Sequence, residues 1–134
     1  MPLSRDLLKE AKGLSMEGPG FDALEVPQDE VDVEQAVREA DRDHVRSGSM
    51  VLGVAHDHRP AEQFIDQVRS LVLRKAPEHH HHKYSVAAFE EFRRTHPRWS
   101  PYLLATCLSY LPTPGDKESD VYKRTRAVLR LLEG

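Results

Sequence analysis

A single cysteine, Cys107, excludes an intrachain disulfide framework and any zinc or iron–sulfur site that draws on several thiolates. No run approaches the roughly 20 consecutive apolar residues that cross a bilayer. Asp6 and Glu10 stand where a leader peptide would be basic and poor in acids. The chain also lacks a Gly-x-Gly-x-x-Gly or P-loop run, a Gly-x-Ser-x-Gly elbow and a His-Glu-x-x-His helix. Neither sign of charge dominates: the formal net charge is −3 and the pI near 6.2, which supplies no global field for a phosphate backbone and no acidic tail. A nucleic-acid site would therefore be local. These absences imply a soluble, unprocessed chain of a reducing compartment, the cytoplasm first and an organelle as the alternative. They also set the expectation that it is not an enzyme and carries no cofactor.

What is present is a chain of 134 residues, 39% apolar and 31% charged. That length suits one domain burying roughly two-thirds of its unfolded surface, but the composition is more polar than average. Part of the chain is expected on the surface or against a partner. The fold class expected is all-α, a single-domain bundle of about five to six short helices behind a long Gly/Pro-containing N-terminal connector.

Residues 1–31 read as an N-terminal helix over about Ser4–Lys12, with Leu7, Leu8, Ala11 and Leu14 on one side, followed by an extended connector holding Gly13, Gly18, Pro19, Gly20 and Pro27. Residues 32–76 read as a helical pair. The first begins at Asp32, which with Gln35 resembles a capping box, carries Val33, Ala36, Val37, Ala40 and Val45 inward, and ends at Ser47–Ser49. Met50–Ala55 is open between a helical turn, a buried strand and a connector. The second opens at Pro60, presents Ala61, Phe64, Ile65, Val68, Leu71 and Val72 at core spacing, and stops before Pro77.

Residues 77–84 read as a polar, His-rich loop, and residues 85–134 as a three-helix C-terminal unit. Ser85 caps its first helix, Ser100 and Pro101 open its second, and Ser119 caps a last helix with Val121, Thr125, Val128, Leu129 and Leu132 inward.

Eight histidines are the unusual feature of the composition. His56 and His58, two apart, and the run His79, His80, His81 and His82 are the candidate metal ligands, since imidazoles so spaced chelate transition metals. A fixed site also needs oriented ligands, which a loop does not provide, so no metal site is assigned. His44 follows Asp41 at the spacing of the bundle-type Glu-x-x-His pair, but no second pair completes a site. Cys107, inside an apolar stripe, reads as a buried small hydrophobe rather than a nucleophile.

The order of helices over residues 85–134 resembles a helix-turn-helix core, with Lys123, Arg124, Arg126 and Arg130 as candidate phosphate contacts on the last helix. Against it, the turn from Tyr110 to Glu118 exceeds the compact motif. Leu3-Ser4-Arg5 with Leu7, Leu8 and Lys12 resembles the start of the LYR-motif mitochondrial proteins, small helical subunits and assembly factors of respiratory complexes. Serine stands where that family has tyrosine, and the family is not assigned.

The leading reading is a non-catalytic helical protein-interaction protein, a subunit or accessory factor whose partners are other subunits of a complex. Helix-turn-helix nucleic-acid binding through residues 85–134 is the first alternative, and a His-rich metal-binding protein the second. Phe21, Leu24 and Val26 in the connector, with Trp99 and Tyr102, are the candidate partner contacts, because aromatic and aliphatic anchors dominate interface energies.

Overall fold

A computed structural model describes residues 24–27 and 30–134 of the chain. The described residues are all-helical: α1 Val33–Glu39, α2 His44–Val54, α3 His58–Lys75, α4 His79–Arg94, α5 Ser100–Cys107 and α6 Asp120–Glu133. The expected helix at Ser4–Lys12 lies outside them.

The capping box at Asp32 is formed. Its Oδ1 accepts from the Gln35 backbone N–H at 2.8 Å, and Gln35 Oε1 accepts from the Asp32 N–H at 3.2 Å. The helix it starts is shorter than expected, because Asp43 nucleates a second one. Its Oδ1 accepts from Val45 N at 3.0 Å and Arg46 N at 3.1 Å, so α2 begins afresh at His44. Ser47–Ser49, expected to end a helix, lie within α2, and Met50–Val54 is helical too. Ser47 is buried and its hydroxyl donates to the Ala36 carbonyl at 2.6 Å, tying α2 to α1.

Helix α3 supplies the centre of the core. Ala61, Phe64, Ile65, Val68, Leu71 and Val72 are all buried, as their spacing requires, against Val51 and Leu52 of α2, Phe89 of α4, and Leu104 and Cys107 of α5. The principal contacts run between α1 and α2, α2 and α5, and α4 and α5.

The stretch from His79 to His82, read as loop, is the first turn of α4. Glu78 occupies the N-cap position, and Ser85, expected to be the cap, sits buried inside the helix with its hydroxyl donating to the His82 carbonyl at 2.8 Å. Pro77 explains the boundary: it stops α3 and leaves the following residues free to begin a new helix.

The segment between α5 and α6 is laced to the bundle. Gly115 N–H donates to Asp41 Oδ1 at 2.9 Å, Lys75 Nζ donates to the Pro114 carbonyl, and Ser119 N–H donates to the Arg74 carbonyl at 2.8 Å. These bonds fix where α6 leaves the bundle, beside the C-terminal end of α3.

Candidate functional site: an uncovered amphipathic helix

Helix α6 is built by strong local signals. Ser119 Oγ accepts from Tyr122 N–H at 3.2 Å, Asp120 lies in the first turn and Arg130 in the last, both favourable to the helix dipole. Its apolar residues recur at helical spacing, yet no residue of α6 is buried. Val121 is 72% exposed, Val128 55%, Leu129 51%, Leu131 82% and Leu132 78%. Among the described residues the stripe expected to anchor this helix inward is therefore open. An isolated helix of this length is marginal in water, and each large aliphatic side chain withdrawn from water stabilises by roughly 1.5–3 kcal/mol. The open face is where this helix has most stabilisation still to gain.

Val121, Thr125, Val128 and Leu132 follow one another at intervals of four, three and four, the spacing of a helix–helix seam. Thr125 Oγ1 donates to the Val121 carbonyl at 2.8 Å, so covering the stripe strands no hydroxyl. Arg124 flanks the stripe on one side and Arg126 on the other. Arg126 pairs with Glu118 at 3.5 Å and lies 5.6 Å from the Tyr122 ring centroid, whereas Lys123, Arg124 and Arg130 have no ion pair among the described residues.

The tri-helical arrangement expected over residues 85–134 is not formed. Helices α4 and α5 pack on each other and on the core, while the main contact of α6 is with α3. All four candidate phosphate contacts, Lys123, Arg124, Arg126 and Arg130, are exposed.

The remaining candidates scatter. Phe21 lies outside the described residues. Leu24 packs against the core, and Val26 is half-exposed beside Gly53 of α2. Trp99 is half-exposed with the Arg98 guanidinium 4.9 Å over its ring, and Tyr102 packs partly on the core, 6.0 Å from the Trp99 ring.

His56 and His58 are exposed near the start of α3, far in sequence from the α4 run. His79 and His80 stack at 4.2 Å between ring centroids, and His80 Nδ1 lies 3.7 Å from Glu78. His81 differs. Its Nδ1 is buried without a hydrogen-bond partner, and it shares an open cleft of about 520 Å³ with His44, Lys75, Thr113, Asp116 and Lys117. His44 of α2 and His81 of α4 line this cleft from helices far apart in sequence, so no local pattern links them. The Asp116 carboxylate there is engaged, accepting from Thr113 N–H at 2.8 Å. No group of three or more His, Cys, Asp or Glu among the described residues is placed to hold a metal ion.

Cys107 is fully buried, and burial pushes its thiol up to about 12. Burial, aided by the neighbouring Cys107 and Tyr110, raises Tyr84 to about 12 as well. A thiol held neutral to that extent is a poor nucleophile.

Among the described residues no helix is long and apolar enough to cross a membrane. The described residues form a small all-α bundle whose amphipathic last helix, α6, has no buried residue. Comparison with protein-family models, with curated proteins and with solved structures finds no match to this chain.

Proposed function

We propose that this chain is a non-catalytic α-helical interaction protein, a subunit or accessory factor of a larger assembly, and that α6 is the element it offers. The observation that supports this most is that a strongly amphipathic helix, correctly capped and tethered, has no buried residue. Apolar side chains gathered on one exposed face, unlike aliphatics scattered singly over a surface, are what an association surface presents. Trp99, half-exposed at the start of α5, is a second anchor under this reading. A reducing compartment suits the single buried thiol.

Nucleic-acid binding is the competing reading, supported by the exposed cations of α6. It leaves the aliphatic stripe uncovered, which is why it ranks second. The experiment is to place L129D/L132D in the chain at its native level and measure the size of the complex it enters. Loss of the complex, with unchanged helicity of the purified variant, supports the reading. A complex unaffected by the substitutions overturns it.

A further inference from the structure

The flanks of the α6 stripe specify more than stickiness. We propose that its occupant is an amphipathic helix of another protein whose apolar stripe is bordered by Asp and Glu. This rests on the interaction reading above and assigns the chemistry of the partner.

Three features of α6 carry it. The first is the seam of Val121, Thr125, Val128 and Leu132, whose four-three-four spacing is the one that lets side chains of one helix enter the gaps of another. Leu129 widens the seam on one side, so the partner presents a broad apolar stripe. The second is charge. Arg124 lies one turn from both Val121 and Val128, and Arg126 borders the opposite edge beside Tyr122 and Leu129. Cations therefore line both edges of the stripe, and the acids of α6, Asp120 and Glu133, are confined to its two ends. The third is that the bundle already supplies one carboxylate to this rim, Glu118 on Arg126 at 3.5 Å, while Arg124 has no such partner among the described residues.

The same features disfavour other occupants. A second copy of this helix brings arginine-lined edges against arginine-lined edges in either orientation, which is repulsive. A nucleic acid would neutralise Lys123 and Arg130, which project from the face opposite the stripe, and leave Val121, Val128, Leu129 and Leu132 in water. Helices that lie in a lipid interface carry Trp, Phe or Leu in the apolar face; that of α6 has Leu but neither Trp nor Phe, and the vesicle arm of the test below separates that occupant from a helix. A helix of 14 residues is about 21 Å long, so its face alone makes a small interface, whose partner selection falls largely to the charged edges.

The test uses the full chain and three synthetic helical peptides with one leucine seam, flanked by Glu, by Gln or by Lys. Titration at low salt is expected to give binding about tenfold tighter for the Glu-flanked than for the Lys-flanked peptide, with the gap closing as salt rises. R124E/R126E is expected to reverse that order, K123E/R130E to leave it in place, and L132D to weaken all three. Equal affinity for the Glu and Lys peptides, or no binding of the Glu peptide, overturns the inference. So does a dimer of the isolated chain that L132D dissolves, or retention on duplex DNA or on phosphatidylcholine–phosphatidylglycerol vesicles that R124E/R126E abolishes while the Glu peptide fails to compete. In the native complex, loss with L129D/L132D but not with R124E/R126E sinks the acidic partner alone. Survival of the complex in both sinks the interaction reading itself.

Discussion

A Cβ added to Gly48 in the middle of α2 would lie 2.8 Å from the carbonyl oxygen of Ala105 in α5. The two helices therefore cross backbone against backbone, and only hydrogen fits at this point. Gly48→Ala gains up to about 1 kcal/mol in helix propensity but must push two packed helices apart, which costs about 1–3 kcal/mol. A net destabilisation of roughly 1–2 kcal/mol is expected in urea melts. Gly53, one and a half turns further on, is the control. An added methyl there meets Val26 at 3.4 Å and Pro27 at 3.6 Å, and the same substitution is expected to be neutral or stabilising by up to about 1 kcal/mol.

Ser47 donates to the Ala36 carbonyl from a fully buried position. Ser47→Ala keeps the volume but leaves that carbonyl without its side-chain donor, so a loss of about 1–2 kcal/mol is expected. Faster amide exchange in α1 than in α3 would localise the effect. No change in stability would show that the carbonyl finds another donor.

The neutral forms of Cys107 and Tyr84 are favoured in the folded chain, with both groups raised to about 12 from 9.0 and 10.0 respectively. Above pH 9 the unfolded chain loses these protons and the folded one keeps them, so the unfolded state binds fewer protons and stability falls as pH rises. The contribution is complete below pH 9 and is lost on the way to pH 12. Cys107→Ala is expected to remove the onset near pH 9 and leave the later Tyr84 phase. The thiol should also react with a disulfide reagent at pH 8 only on the timescale of unfolding; rapid labelling of the native chain would contradict its burial.

Aspartate at Leu132 and aspartate at Leu104 should behave oppositely. Leu132 is exposed, and its replacement is expected to change the stability of the isolated chain by less than about 0.5 kcal/mol. Leu104 is fully buried, and even truncation to alanine is expected to cost about 2–5 kcal/mol. A large loss in the isolated Leu132 variant would mean that the chain itself covers the α6 face.

Several elements were legible without coordinates because their signals are local and mutually consistent. The α3 stripe from Ala61 to Val72, the Asp32–Gln35 capping box, Pro101 at the start of α5 and Ser119 at the start of α6 each rest on residues within a few positions of one another. The misreadings share a cause. Ser47, Gly48 and Ser49 carry poor helix propensity and resemble a terminus, but their small size is what the crossing with α5 and the bond to Ala36 demand. His79–His82 has ordinary propensity and no apolar stripe of its own, and is helical as the leading turn of a segment held by Phe89.

Of the candidate site, the amphipathic character of α6 was in the sequence; its exposure was not. Periodicity places Val121, Val128, Leu129 and Leu132 together on a helix and Arg124 and Arg126 at its edges, and this follows from chain geometry alone. Whether that face is covered depends on how many neighbouring surfaces the rest of the chain can supply. Helices α1 to α5 use theirs on one another around Phe64, Ile65 and Val68, and the bonds from Asp41, Arg74 and Lys75 hold the segment before α6 at the rim of that core. The amphipathic face was thus set residue by residue, whereas its exposure among the described residues is a property of the packed bundle, where one surface buries another only if both arrive at the same place.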